Sequence, residues 1–121
     1  FYKIEKNQLE VKFPVKLSIY KVPDIYEVSK STIFVDEDKL IFPLQIKKWN
    51  VGDSFQPFGM KGKSKKINKF LKDEKLSLLE KHNIWILTSD NQIVWIIGLR
   101  QDERFKVEHS TKNKLQISYT P

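Results

Sequence analysis

A chain of 121 residues that is 40% hydrophobic, with eight Phe, four Tyr and three Trp, can build one compact core, so its 31% charged residues do not make it disordered. It contains no cysteine, which excludes a disulfide framework, a thiolate nucleophile and a cysteine-based metal site; its longest apolar run, Ile93 to Leu99, is far too short for a membrane-crossing helix. The formal net charge of +7 sits entirely in residues 45–121, since residues 1–44 hold seven Lys against seven acids. Within Lys61 to Lys75 there are seven Lys and two acids, a local basicity that suits a polyanion-binding surface and equally a solubilising lysine face. The chain opens on Phe1 with no signal or transit character, and is expected to be a piece of a longer cytoplasmic protein.

In chain order, Leu9, Val11, Phe13, Val15, Leu17 and Ile19 are apolar at every second position, which predicts a half-buried strand with an edge or a break at Pro14. Ile33 and Val35 suggest a short strand and Asp36 to Asp38 a polar turn, after which Leu40, Phe42, Leu44 and Ile46 alternate again around Pro43. The stretch Trp49 to Gly62 holds three Gly and one Pro with little periodicity and reads as a loop. A helix follows, capped by Ser64, with Ile67, Phe70 and Leu71 on one face and Lys65, Lys66, Lys69 and Lys72 towards solvent. Ser77 and Glu80 form a capping-box pattern for a second short helix. Ile84 to Leu87 and Ile93 to Leu99 flank Ser89-Asp90-Asn91 as a hairpin, the second strand central and covered on both faces. Phe105 with Val107, and Leu115, Ile117 and Tyr119, alternate as further strands. Seven or eight strands around a mid-chain helical pair predict an α+β fold of antiparallel, sandwich-like sheets.

The sequence Gly62-Lys63-Ser64 ends like a phosphate loop, but Pro57 occupies the place of the first required Gly and no buried strand precedes it. His82 and His109 are the only histidines and have no partner at a metal-ligand spacing, so helix-end or surface roles are expected. Asp73-Glu74 and Asp102-Glu103 are paired acids; Arg100 and Arg104 beside the second pair favour an ion-pair cluster over an acid/base site. No catalytic residue is assigned. The remaining chemistry lies where an aromatic–glycine loop runs into lysines: cations and backbone donors take phosphates, and exposed aromatics stack on unpaired bases. Core packing is the competing role, favoured for Trp49 and Phe55 and evenly balanced for Phe58 and Met60.

The run Leu44-Gln45-Ile46-Lys47-Lys48-Trp49-Asn50-Val51-Gly52-Asp53-Ser54-Phe55-Gln56-Pro57-Phe58-Gly59-Met60, continued by Lys65 to Leu71, Gln92 to Arg100 and Asp102 to Val107, resembles the C-terminal domain of the tRNA(Ile)-lysidine synthetase family. The likeness covers about residues 40–118. Residues 1–39 are expected to be a strand-rich leading segment packed on the same domain as residues 40–121. The resemblance implies a fold similar to a domain of the phenylalanyl-tRNA synthetase β-chain. It also implies a parent enzyme that uses ATP to ligate lysine to the wobble cytidine of a minor isoleucine tRNA. ATP and Mg would belong to a catalytic N-terminal domain, leaving no cofactor for this part, and the partners would be tRNA and that catalytic domain, with no membrane. By the same resemblance Lys47, Lys48, Lys61, Lys65, Lys66 and Lys69 are RNA-facing, with Gly59 and Gly62 shaping the loop. Relatives often carry Arg at the positions of Lys47, Lys48, Ser54 and Lys81; Lys supplies a point charge there without the bidentate fork. A module that docks on the catalytic domain or on a second subunit is the alternative.

Overall fold

The computed structural model describes residues 1–121 and arranges eleven strands and two α-helices in three layers. The strands are β1 (Tyr2–Ile4), β2 (Glu10–Val11), β3 (Lys16–Val22), β4 (Thr32–Asp36), β5 (Leu44–Lys48), β6 (Ser54–Phe55), β7 (Lys65–Lys66), β8 (Trp85–Ser89), β9 (Gln92–Ile96), β10 (Arg100–Gln101) and β11 (Lys114–Thr120); the helices are α1 (Ile67–Asp73) and α2 (Leu78–His82). One antiparallel sheet runs β1-β5-β8-β9-β10 and a second β2-β3-β11-β4, with β6-β7 as a separate two-stranded ribbon. Antiparallel sheets with two short helices are the architecture that the sequence pattern predicts. No helix is long and apolar enough to cross a membrane.

The two large sheets face each other over a core of 16 residues, among them Ile4, Leu17, Val35, Ile46, Leu87, Trp95 and Ile117. A second cluster lies on the opposite face of the five-stranded sheet, where Ile86, Ile93 and Ile96 meet Phe55, Ile67, Phe70 and Leu71. That sheet is therefore covered on both sides. An irregularity in register makes this possible: Leu87 pairs with Trp95 but Thr88 with Ile93, so one extra residue bulges out of β9. Val94 and Trp95 consequently both face the sandwich, while Ile93 and Ile96 face α1. The turn is the two-residue Asp90-Asn91, both at positive φ, as the right-handed twist of a hairpin requires. Residues 1–39 contribute β1 to the five-stranded sheet and β2 to β4 to the other.

The structure departs from the sequence expectation in several places: there are eleven strands where seven or eight are expected, Ser54–Phe55 form a strand inside the expected loop, and the strand expected over Ile93 to Leu99 ends at Ile96. The alternating run from Leu9 to Ile19 is not one strand; the chain turns over around Pro14, and β2 pairs back on β3 with Val11 opposite Leu17. Leu9 and Phe13 are thereby left 65% and 68% exposed, because the fold-back breaks the continuity that a period of two assumes. The second alternating run forms a strand only from Leu44, immediately after Pro43; β5 lies inside its sheet, and proline cannot donate to an interior ladder. Phe105 ends a 3-10 turn, Glu103–Phe105, capped by the Asp102 carboxylate, instead of opening a strand. Finally, Ser64 does not cap α1. Lys65 and Lys66 are extended and pair with Phe55 and Ser54, and the helix begins at Ile67, whose N–H donates to the Asp53 carbonyl oxygen at 2.9 Å. That backbone acceptor does the work expected of a capping side chain.

Candidate nucleic-acid interface

Three short segments meet on the helical side of the five-stranded sheet. The turn at residues 50–53 is closed on itself, with Asn50 N–H donating to Asp53 Oδ2 at 2.8 Å and Asp53 N–H to Asn50 O at 2.9 Å. Helix α1 is fixed by its buried Ile67, Phe70 and Leu71, and the Phe70 ring stands edge-on to Phe55 with centroids 5.2 Å apart. Helix α2 carries the capping box that Ser77 and Glu80 predict, with both hydrogen bonds formed. Its last turn is tied to the loop by Trp49 Nε1–H donating to Lys81 O at 2.8 Å. Trp49 is thus half-buried structure and Phe55 is core, as packing favours, whereas Phe58 and Met60 remain 40% and 37% exposed.

Between these segments lies an open concavity of about 780 Å³ lined by Val51, Gly52, Asn68, Lys66, Lys69, Lys72 and Lys81, with Asp73 as its one acid. None of the four lysines makes an ion pair. Asp73 is already engaged by Lys65, Nζ to Oδ2 at 2.7 Å. That hydrogen bond, and after it the fields of Lys65, Lys69 and Lys72, hold the Asp73 carboxyl below its ordinary value. The groove therefore presents four lysines without an ion pair around one carboxylate that is bonded to Lys65.

The six lysines singled out from sequence are distributed over different surroundings. Lys66 and Lys69 line the groove. Lys65 stands beside it, 20% exposed, paired to Asp73 and 5.7 Å from the Phe70 ring centroid. Lys47 and Lys48 point to opposite faces of β5, because neighbours on a strand alternate. Lys48 lies 4.4 Å from the Trp85 ring centroid and donates to His82 O at 2.6 Å. Lys61 is exposed in the turn of residues 57–63, in the left-handed region at φ 55°. Sequence reasoning did not assign Lys72 and Lys81 to the site. Lys72 follows Lys69 at the i+3 spacing of one helical face, and the arginine that relatives carry at the Lys81 position is the signal for Lys81, which tertiary packing brings to the groove.

Gly59 and Gly62 lie in that turn at φ 90° and 84°. Open space surrounds both, so it is the backbone conformation and not crowding that asks for glycine. The loop is anchored by the acidic pair. Asp102, fully buried, accepts from Gln56 N–H at 2.8 Å and from Arg104 through Nε at 3.0 Å and Nη2 at 2.9 Å. Glu103 accepts from Gly59 N–H at 3.1 Å and pairs with Lys106. The Lys106 ammonium first, and the Gly59 N–H after it, hold Glu103 below its ordinary value against the opposing effect of burial. The pair is an ion-pair cluster with a structural task. His82 ends α2 and His109 is exposed, and no group of three or more His, Asp or Glu stands together as a metal site.

Residues 44–117 match the family described as the TilS substrate C-terminal domain. The chain is similar to the tRNA(Ile)-lysidine synthase of Parabacteroides distasonis, 41% identical over 110 residues that cover 88% of this chain and 25% of that protein. The corresponding enzyme of Bacteroides thetaiotaomicron is 45% identical over 83 residues, 69% of this chain and 19% of that protein. That of Caldanaerobacter subterraneus subsp. tengcongensis is 39% identical over 87 residues, 72% and 18%. The chain thus spans about a quarter of the length of these relatives, or less. A crystal structure of a TilS C-terminal domain superposes with a TM-score of 0.81 over 98% of this chain and 95% of the other, at 17% identity, which speaks for the shared fold. On the match of residues 44–117 and these relatives, the chain belongs to the TilS substrate C-terminal domain family.

Proposed function

We propose that this domain holds tRNA for an ATP-dependent tRNA(Ile)-lysidine ligase, whose adenylation of the wobble cytidine and attachment of lysine take place in another part of the parent protein. The observation that carries the reading is the groove in which Lys66, Lys69, Lys72 and Lys81 converge without acid partners. A polyanion supplies the missing counter-charge, and binding then releases the counterions condensed on its phosphates. Of the six sequence-assigned lysines, Lys66 and Lys69 become the primary contacts, with Lys72 and Lys81 added. Lys65 sets the position of Asp73, and Lys47, Lys48 and Lys61 are secondary. ATP and Mg act on the catalytic part, and this domain takes neither.

The test is binding of the chain to the minor isoleucine tRNA and the elongator methionine tRNA across a salt series. Affinity is expected to fall as a power of salt concentration, and a K66E/K69E variant to bind more weakly with a salt slope reduced by about 2, one for each lost phosphate contact. An unchanged slope removes the groove from the interface. A second reading, docking on the catalytic domain, is supported by α2, whose Leu78 and Leu79 are 74% and 72% exposed and which buries no residue. Both roles fit one domain, since neither Leu78 nor Leu79 lines the lysine groove.

A further inference from the structure

A second concavity, of about 240 Å³, lies beside the aromatic–glycine loop, between Val28 and Lys30 of the β3–β4 connection and the segment Leu99 to Gln101, with Phe58 and Trp95 in its wall. No carboxylate lines it. Its two cations are weakly compensated: Lys30 is 74% exposed and 4.0 Å from Glu74, and Arg100 makes no ion pair but lies 5.6 Å from the Phe70 ring centroid. Phe58 is 40% exposed although its backbone is pinned, its N–H donating to Gln101 O at 2.9 Å. The Trp95 indole N–H is buried without a hydrogen-bond partner, the single such side-chain group in the protein.

We propose that this pocket receives one unstacked nucleotide of the RNA held in the lysine groove, an inference that rests on the RNA-binding reading above. The volume is below the roughly 300–1,000 Å³ of clefts that enclose a whole drug-sized ligand, and suits a single planar ring. Phe58 offers that ring a stacking surface and Arg100 and Lys30 take its phosphate, while the buried Trp95 indole in the wall senses its arrival. The cations are continuous with the groove: Lys65 and Arg100 both sit over Phe70, at 5.7 and 5.6 Å from its ring centroid. A strand leaving the groove past α1 thus finds a charged path to the pocket.

The experiment compares two RNA hairpins with the same stem, one blunt and one with a single-stranded 3′ extension, titrated into the ¹⁵N-labelled 121-residue chain. The extended hairpin is expected to bind about tenfold more tightly, the contribution of one stacked base. It should also move the Trp95 indole resonance while the blunt one does not. F58A should erase the difference between the hairpins and leave blunt binding unchanged, and F58Y should restore it. Equal binding of the two hairpins with a static Trp95 resonance overturns the pocket and leaves the groove standing. Loss of affinity for both hairpins in F58A also overturns it, because Phe58 would then serve the loop and not a base. If neither hairpin binds, the RNA-binding reading fails and the pocket with it.

Discussion

Helices α1 and α2 are seven and five residues long, both far below the roughly 12–15 residues at which an isolated helix becomes marginal in water. They are held by opposite means. Helix α1 has no side-chain cap and no acid in its first turn, and depends on Ile67, Phe70 and Leu71 buried against the sheet. Helix α2 buries nothing and depends on polar contacts at its ends: the Ser77–Glu80 box, and the Trp49 and Lys48 donors on the Lys81 and His82 carbonyls. Packing fixes α1 as part of the core, so the lysines on its outer face are presented from a rigid support. End contacts fix α2 only locally, so Lys81 enters the groove from an element that can loosen without unfolding the domain.

The largest effect that separates the two is expected from F70A. It removes a buried ring packed on Phe55 and beneath Lys65 and Arg100, and should lower global stability by about 3–5 kcal/mol, read as a fall in denaturation midpoint. S77A should cost about 1 kcal/mol, expressed as faster amide exchange in α2 with little change at α1. Acid should separate them further. The Ser77 backbone N–H, and after it the Ser77 side chain, hold the Glu80 carboxyl below its ordinary value. Its contribution is therefore complete above that ordinary value and is lost as pH falls through the lower folded one. The protection of α2 amides, taken relative to their intrinsic exchange rate at each pH, should fall over that acidic range while the packed face of α1 keeps its protection; an equal loss in both would mean that α1 also rests on its end contacts. The smallest effect is a gain. Helix α1 closes with Lys75 N–H on Lys72 O and Leu76 N–H on Leu71 O, which places Lys75 at φ 59°. K75G should stabilise the protein by about 0.5 kcal/mol, relief of left-handed strain less the entropy of glycine, seen as a small rise in melting temperature.

The same contrast explains what could be read in advance. Features set by contiguous residues were legible: the Ser77–Glu80 box, the Asp90-Asn91 hairpin, the buried Ile67-Phe70-Leu71 stripe and the acid–arginine cluster at Asp102. Features set by contacts distant in sequence were not. Nothing near Ser64 announces that Asp53 will accept from Ile67, and so the helix was expected two residues early and Lys65 and Lys66 were placed on it. The run from Leu9 to Ile19 keeps its period through Pro14, and periodicity alone does not tell one long strand from two folded together. For the groove, composition located the lysines, and the resemblance pointed to Lys66 and Lys69. It took the packing of α2 against the loop to bring Lys81 beside them, and the alternation along β5 to part Lys47 from Lys48.

Strand β11 lies between β3 and β4, pairing with both along its length. These two strands are neighbours in sequence, yet they do not pair with each other; β4 is laddered into the sheet through residues 114–118, and β3, apart from its short pairing with β2, through residues 114–120. During synthesis the two must wait for residues 114–120 before their apolar faces at Leu17, Ile19, Ile33 and Val35 share one sheet. Strand β11 thus locks together two strands that precede it by some eighty residues or more, and a chain lacking Lys114–Thr120 leaves an edge of β3 and an edge of β4 open to aggregation.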